Sequence, residues 1–494
     1  MNVFILILYT YALFSVSHGG VIEWLQDTWG VLKKLNFEFW HKHPASRILY
    51  EYLDPDVDPC DNFYKFSCGN WIKTLEKTKG NSKSFHFDSR TRNFDKFTDE
   101  FYEGKYNNET RIFPTFLNLL EKCKELPEDE IYYCNLEIFN FGKYALSSVF
   151  LKKNKIKSEE NGDYDTVENI TMLIKHEFRS LIDEKKDDFD EETRNNFKYK
   201  LDKMEFVRNF DNFDLSNVTL MEGCYDNIGI NYNDHIENIR KAIKRYIKMS
   251  DNDKDGLNSC MVKIFQPNEF ITRYVYANAW YNFKGNFFTM NSDTLNEPSF
   301  SKDYPYSLNF GYFGNAIAHE ILHAFDNENY NRTLEGDNKN YFNVSQKSIE
   351  KYREKSDCFA NQYGMQKEST TNRSINGRFT LAENIADNGG LKIAHRAYIK
   401  YLQSNDGSSS KVHGFEQFTD EQLFFISVGK NFCEYTSKDN LEILMNTDDH
   451  SPPEIRTNVL LSNYKPFSDA FNCPVNSKMN PEHKCELWKY QKQN

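Results

Sequence analysis

The sequence predicts a mainly α-helical protein with one small β element, and three observations lead to this fold class. Residues 94–249 are rich in Lys, Glu, Asp, Asn and Phe at helix-like spacing, and they contain only two prolines, Pro114 and Pro127. Residues 316–325 form a mostly apolar run without Gly or Pro, which is typical of a buried helix. Short β-like runs over residues 271–283 predict the β element.

The composition is that of a globular chain large enough to contain a deep cleft. Of its 494 residues, 39% are hydrophobic and 16% aromatic, which supplies a substantial core. The formal net charge of -12 argues against nucleic acid as the main partner, because phosphate binding requires a basic surface. The acidic segment 183–192 also contains lysines, and we interpret it as the solvated face of a helix.

Several features of the sequence indicate export. Residues 1–19 contain an apolar run followed by small and polar residues, as in a secretory signal peptide. The basic residues that usually precede the apolar run are missing. No later stretch approaches the roughly 20 apolar residues that a membrane helix needs. An even number of cysteines, ten, follows this segment. Six N-x-[ST] sequons are present, at Asn108, Asn169, Asn217, Asn331, Asn343 and Asn372. A secreted protein is favoured, with a signal-anchored cell-surface protein as the alternative.

The helix predicted over residues 316–325 carries the motif His319-Glu320-Ile321-Leu322-His323. Histidines four residues apart lie on one helix face, where both can bind the same zinc ion. Glu320 then becomes the base that activates the attacking water. The motif also recurs by chance in unrelated chains, so two histidines hydrogen-bonded inside a helical core remain the alternative.

A second segment, residues 381–387, offers the third ligand that leaves one position open for water. Glu383 and Asp387 are four residues apart among apolar neighbours. Buried carboxylates are unfavourable without a cation or hydrogen bonds. Zinc would satisfy Glu383, and Asp387 could accept the second N–H of a ligand histidine. The alternative is a salt-bridged or exposed helical pair.

These residues resemble the neprilysin-type zinc metallopeptidases, which are extracellular enzymes that cleave peptides. The similarity covers residues 58–64 and 68–71, and then runs from Asn278 almost to Trp488. The resemblance implies a two-lobed zincin, or gluzincin, fold with one zinc ion per chain. It also implies the same roles for the two motifs: His319, His323 and Glu383 as ligands, Glu320 as base, and Asp387 as the orienting carboxylate.

The same resemblance implies further site residues. Asn278 and Ala279 match a segment that holds the substrate backbone like an added strand. His450, within residues 449–452, would stabilise the oxyanion, and Arg456 would bind substrate and order the site. Without the resemblance, Asn278 is interpreted as a strand end and His450 as a surface histidine.

Family pairing also implies disulfides, and it leaves the last two cysteines to pair with each other. The implied pairs are Cys60 with Cys473, Cys68 with Cys433, Cys123 with Cys260, Cys358 with Cys485, and Cys134 with Cys224. Two of these bridges would tie the amino-terminal segment to the carboxyl end. We therefore predict an amino-terminal helical lobe over residues 20–270, of which residues 50–75 pack on a zinc catalytic domain at 271–494.

The chain also departs from the family. Only residues 261–277 separate Cys260 from Asn278, where typical relatives have a much longer segment, and this predicts a more open cleft. Asn315 and Ala316 stand where relatives place larger apolar residues near the primary specificity pocket, and Phe432 is a candidate pocket wall. Arg90 and Arg92 lie in the region of the family's carboxylate-binding arginines without matching their spacing.

The predicted function is that of a secreted zinc endopeptidase. It would hydrolyse extracellular oligopeptides on the amino side of hydrophobic residues. The alternative is a secreted zinc-containing binding or decoy protein with little turnover, because the shortened lobe leaves the substrate unpositioned.

Overall fold

The computed structural model describes residues 43–79, 86–207, 212–334, 344–404 and 411–488. The predicted signal peptide, residues 1–19, and the sequon at Asn343 lie outside these ranges. Asn108, Asn169, Asn217 and Asn372 are exposed, and Asn331 is partly exposed. No helix within the described ranges is both long enough and apolar enough to cross a bilayer.

Helices dominate the fold, which confirms the mainly α-helical prediction. The helices up to residue 270 are α1 Pro44–Tyr52, α2 Phe63–Lys79, α3 Arg92–Tyr102, α4 Ile112–Cys123, α5 Glu128–Asn161, α6 Asp163–Asp183, α7 Glu191–Lys203, α8 Val218–Asn227, α9 Ile236–Ser250, α10 Cys260–Phe265 and α11 Asn268–Phe270. The helices from residue 306 onward are α12 Tyr306–Asn309, α13 Asn315–His323, α14 Gln346–Gly364, α15 Leu381–Ser404, α16 Asp420–Lys430, α17 Lys438–Thr447, α18 Pro453–Ser462 and α19 Lys465–Ala470.

The strands form two small sheets. They are β1 His86–Asp88, β2 Glu205–Val207, β3 Ala279–Asn282, β4 Phe287–Met290 and β5 Glu434–Thr436. β1 pairs with β5, and the other sheet has the order β2-β4-β3, in which β4 is parallel to β2 and antiparallel to β3. The predicted β run over 271–283 is only partly right, because residues 271–275 form a π-helical turn and the strand begins at Ala279.

Two hydrophobic cores divide the buried side chains. The smaller core takes residues from 94–151 and 215–275, and the larger core takes residues from 45–68, 167–204 and 288–488. Residues 167–204 thus pack with the zinc-motif helices, although they precede residue 270 in the chain. The boundary at residue 270 stays a prediction.

The disulfides confirm three implied pairs and correct two. Cys60–Cys473, Cys68–Cys433 and Cys358–Cys485 are formed as implied. The predictions of Cys123 with Cys260 and of Cys134 with Cys224 are wrong, because the structure joins Cys123 to Cys134 and Cys224 to Cys260.

The physical reason for this correction is the chain path in the smaller core. Cys123 ends α4, and Cys134 lies in the second turn of α5, just beyond the short connection between these helices. Their Cα atoms are 5.7 Å apart. Cys224 in α8 and Cys260 at the start of α10 are 5.3 Å apart. Both separations suit a disulfide.

The interpretation of the acidic segment 183–192 as the solvated face of a helix is also wrong. The segment connects α6 to α7. Lys185 is fully buried beside the buried Asp188, with 3.7 Å between Lys185 Nζ and Asp188 Oδ2. Asp190 caps α7 by accepting a hydrogen bond from the backbone N–H of Thr193 at 2.8 Å. The segment anchors two helices to the larger core.

Candidate active site

Two helices of the larger core, α13 and α15, carry the predicted metal ligands. They approach closely because α15 has glycines where it meets α13. A Cβ on Gly390 would lie 2.9 Å from the His319 backbone nitrogen, and one on Gly389 would lie 2.7 Å from Leu322 Cδ1. Any larger residue would push the helices apart. The close packing places Glu383 of α15 opposite the two histidines of α13.

The three predicted ligands converge on one point. His319 Nε2 and His323 Nε2 are 2.9 Å apart. His319 Nε2 is 3.2 Å from Glu383 Oε2, and His323 Nε2 is 3.4 Å from Glu383 Oε1. All three residues are at least half-buried, and they form a group that could hold a metal ion. The spacing prediction thus corresponds to a real cluster of side chains.

A carboxylate stands behind each ligand histidine. His319 Nδ1 is 2.8 Å from Asp387 Oδ1. His323 Nδ1 is 2.9 Å from Asp326 Oδ2, a contact that the sequence reasoning missed. Asp326 lies three residues after His323 and just beyond the end of α13, where a lone aspartate has no distinguishing sequence pattern. Both carboxylates favour a proton on Nδ1 and leave Nε2 as the metal-binding nitrogen.

This donor set fits a zinc ion. With protons on both Nδ1 atoms, two Nε2 lone pairs and one carboxylate point at the same small space, an arrangement that repels itself unless a cation lies there. Glu383 Oε2 is buried and makes no hydrogen bond of suitable geometry, although nitrogens of His319 and His450 lie within 3.2 Å. Two imidazoles and one carboxylate with an open side are the ligands of a catalytic zinc site.

The electrostatics of the cluster also favour positive charge. Burial alone would disfavour a charged His323, but the carboxylates of Glu383 and Asp326 outweigh it and raise the pKa of His323 to about 10. Burial opposes ionisation of Glu383, yet the positive charges of His450 and His323 hold the pKa of Glu383 well below its usual range. Glu383 therefore remains an anionic ligand at neutral pH.

Glu320 lines the same cavity, which encloses about 510 Å³. The side chain is buried, with 7% of its surface exposed. Burial raises the pKa of Glu320, and the neighbouring His319 and His323 oppose that rise. A carboxylate in such a place accepts a proton more readily than one on the surface.

His450 and Arg456 reach the cavity from the segment that precedes α18 and from α18 itself. His450 Nε2 is 3.2 Å from Glu383 Oε2, and its Nδ1 is 2.7 Å from Asp448 Oδ1. Arg456 Nε and Nη2 contact the two carboxylate oxygens of Asp387 at 2.5 and 2.9 Å. The bidentate contact fixes Asp387 and, through it, His319.

Asn278 and Ala279 line the cavity beside the two motifs. Ala279 begins β3, which pairs with β4 on one side only in the described sheet. The Asn278 backbone oxygen accepts a hydrogen bond from Asn291 N at 2.8 Å, which fixes the entry to the strand. An extended peptide could add to the free side of β3 by strand pairing.

The remaining cavity residues include those at which the chain departs from the resemblance. Asn315, Ala316, Phe432 and Arg90 all line the cavity. Arg92 does not belong to the lining, and its guanidinium contacts Glu51 Oε1 at 2.7 Å. The apolar part of the wall includes Phe379, Phe432, Leu441, Leu444 and Met445.

Comparisons with known proteins agree with this geometry. Residues 278–487 match the sequence profile of Peptidase family M13. Neprilysin-11 of Caenorhabditis elegans is 34% identical over 278 residues, which are 53% of this chain and 32% of that protein. The endothelin-converting enzyme homolog of Locusta migratoria is 30% identical over 360 residues, which are 72% of this chain and 46% of that protein. The chain spans less than half the length of these relatives.

Solved structures share the fold. Mycobacterium tuberculosis zinc metalloprotease Zmp1 in complex with an inhibitor superimposes with a TM-score of 0.50 and 21% identity over 68% of this chain and 49% of that chain. A chain of the Haemonchus galactose containing glycoprotein complex gives a TM-score of 0.58 and 17% identity, over 91% of this chain and 99% of that chain.

The profile match over residues 278–487 and the similarity to neprilysins and endothelin-converting enzymes lead to one conclusion: the chain is a neprilysin-type member of peptidase family M13.

Proposed function

We propose that this protein is a secreted zinc-dependent endopeptidase that hydrolyses extracellular oligopeptides. The observation that carries the proposal is the convergence of His319 Nε2, His323 Nε2 and the Glu383 carboxylate beside the buried Glu320. The five disulfides support an oxidising compartment, and the predicted signal peptide agrees with it.

His319, His323 and Glu383 would hold one zinc ion. When bound, zinc would supply Lewis acidity, which polarises a peptide carbonyl and lowers the pKa of water. Asp387 and Asp326 keep the ligand histidines in the required tautomer. Arg456 makes two contacts with Asp387, and Asp387 in turn contacts His319, so both side chains fix the orientation of His319.

Glu320 would act as the general base and later as the general acid. It takes a proton from the attacking water and passes one to the leaving amine. His450 would donate a hydrogen bond to the carbonyl oxygen as negative charge develops there. Its Nδ1 contact with Asp448 favours a proton-bearing ring that points Nε2 into the cavity.

Substrate would bind as an extended strand along β3, with Asn278 and Ala279 holding its backbone. The side chain next to the scissile bond would enter the cavity between the apolar residues of α17 and Phe432. These walls support a preference for cleavage on the amino side of hydrophobic residues. The zinc domain would comprise residues 271–494.

The test uses purified full-length protein, elemental analysis, and mass spectrometry of a mixture of short peptides. We expect bound zinc, cleavage of internal peptide bonds, loss of cleavage after chelation, and recovery when zinc is restored. The variant Glu320→Gln should retain zinc and lose cleavage. Bound zinc with no cleavage by either protein would favour the binding or decoy alternative, and absence of zinc would refute the proposal.

A further inference from the structure

His450, the proposed donor to the developing oxyanion, lies in the short connection 448–452 between α17 and α18. The backbone hydrogen bonds of this connection go back to α17 and on to α18. Within the described ranges, none of them reaches α15, the helix that carries the predicted zinc ligand Glu383. Backbone pairing therefore does not fix the position of His450 relative to the zinc ligands.

A buried side-chain contact ties this connection to α15. The Ser451 hydroxyl donates to Asn384 Oδ1 at 2.8 Å, and Asn384 Nδ2 donates to Thr380 Oγ1 at 2.9 Å. Ser451 is 3% exposed, and Asn384 is fully buried. The two bonds use both ends of the Asn384 amide, so the amide cannot turn without leaving a buried polar group unpaired. The contact thus holds the connection at one fixed point on the helix.

Both partners of this contact are chain neighbours of site residues. Ser451 follows His450, and Asn384 follows Glu383. His450 Nε2 lies 3.2 Å from Glu383 Oε2, so the two site residues stand side by side. Ser451 also precedes Pro452, which restricts its backbone to extended conformations. Because a rigid peptide unit joins Ser451 to His450, a shift of Ser451 away from α15 would carry His450 with it.

The other contacts near His450 do not replace this one. Asp448 contacts His450 Nδ1, but it belongs to the same connection and moves with it. Arg456 contacts Asp387 of α15, but it does so from α18, five residues beyond Ser451. In the described part of the chain, the Ser451 hydroxyl therefore makes the hydrogen bond to α15 that lies nearest to His450 in sequence.

We propose that Ser451 and Asn384 are positioning residues, and that their hydrogen bond sets the place of His450 relative to the zinc ligands. A group misplaced by about 1 Å can cost roughly 10²-fold in rate. Because negative charge develops on the carbonyl oxygen only in the transition state, the loss should appear in kcat and not in KM. This inference rests on the proposed peptidase function and adds two residues that act through His450.

The test measures kcat and KM of the full-length zinc-loaded protein on one peptide that the natural protein cleaves. Ser451→Ala should lower kcat by about 10- to 100-fold, with KM and zinc content unchanged. Its affinity for a peptide phosphonate, whose tetrahedral group imitates the transition state, should fall by the same factor as kcat/KM. The matched control Ser462→Ala removes another buried serine hydroxyl, which bonds Val459 O within α18, and should leave kcat unchanged.

The variant His450→Ala separates positioning from general damage to the fold. If the Ser451 hydroxyl acts through His450, its removal has nothing left to displace once the imidazole is gone. Ser451→Ala should therefore cause no further loss of kcat in the His450→Ala background. A hydroxyl that only stabilises the fold would instead lower kcat by the same factor in both backgrounds.

Each outcome decides the matter. An unchanged kcat or an unchanged phosphonate affinity in Ser451→Ala overturns the inference. An equal loss in Ser462→Ala, a loss explained by missing zinc, or a full additional loss in the His450→Ala background also overturns it. All of these results leave the peptidase function intact. Failure of the natural protein to cleave any peptide refutes the proposed function, and the inference with it.

Discussion

The larger and smaller cores of the molecule are held together in different ways. In the larger core, bridges join residues 413, 365 and 127 positions apart, and these are the pairs that the family resemblance implied correctly. In the smaller core, the bridges span 11 and 36 positions; one joins the consecutive helices α4 and α5, and the other joins α8 to α10. The larger core is closed by bridges between distant segments, whereas the smaller core is closed by shorter-range bridges.

This difference shows where resemblance is informative. The family profile begins at residue 278, and the three bridges that were implied correctly each have at least one cysteine beyond that point. Both corrected bridges lie entirely before it. The implied pairs are therefore formed where at least one cysteine lies within the matched residues, and other pairs replace them where neither does.

The largest expected effect tests the contrast between the bridges directly. The loop-closure model assigns about 6 kcal/mol to a bridge across 365 positions and about 3 kcal/mol to one across 11. The double variant Cys68→Ala/Cys433→Ala should therefore lose roughly twice the stability of Cys123→Ala/Cys134→Ala, measured by denaturant unfolding. Peptide mapping without reduction should recover Cys123 joined to Cys134. Equal losses of stability in the two double variants, or a peptide in which Cys123 is joined to Cys260, would contradict the predicted difference between the two cores.

A second prediction assigns catalysis to the larger core. Glu320→Gln should lower kcat by about 10²- to 10⁴-fold, because the variant cannot take up a proton, while zinc content stays the same. Glu137→Gln is the matched control. Glu137 is a glutamate of α5 beside the smaller core, paired with Arg240 and Lys244. A similar loss of activity in both variants would show that the smaller region contributes to more than stability.

A third prediction concerns Asp326, the carboxylate behind His323. Asp326→Asn should weaken zinc binding by about 10- to 100-fold, because the amide no longer favours a proton on His323 Nδ1. Competition with a chelator of known affinity measures the change. Asp303→Asn, at an exposed aspartate of the same lobe, should leave the affinity unchanged. Equal zinc affinity in Asp326→Asn would mean that His323 is oriented by other contacts.

The smallest effect concerns the connection between α6 and α7. Hydrogen bonds from Ser345 and Thr193 outweigh the effect of burial and lower the pKa of Asp190 to about 2. An aspartate in the unfolded chain titrates near 3.9. The stabilisation of the folded state by ionised Asp190 is thus complete above about pH 4 and is lost as the pH falls toward 2. Between pH 4 and pH 2, the Tm of Asp190→Asn should fall less than the Tm of the natural protein. Identical curves of Tm against pH for the two proteins would contradict the prediction.

Several parts of the site were predictable because they depend on local spacing. Ligands four residues apart on a helix share a face whatever the rest of the chain does, so His319, His323 and the pair Glu383 and Asp387 could be assigned from sequence. Asp326 was missed because a lone aspartate after a helix has no distinguishing pattern. Its role appears only when its oxygen is placed 2.9 Å from His323 Nδ1.

The sequence alone predicted the helical character, the ligand set and the general base, because these features depend on residue spacing within individual helices. Only the tertiary structure decided that Cys123 pairs with Cys134 and Cys224 with Cys260, and that residues 167–204 pack with the zinc-motif helices in the larger core. These depend on how distant segments approach one another. Contacts between distant segments are set by the packing of the whole chain, which local periodicity does not encode.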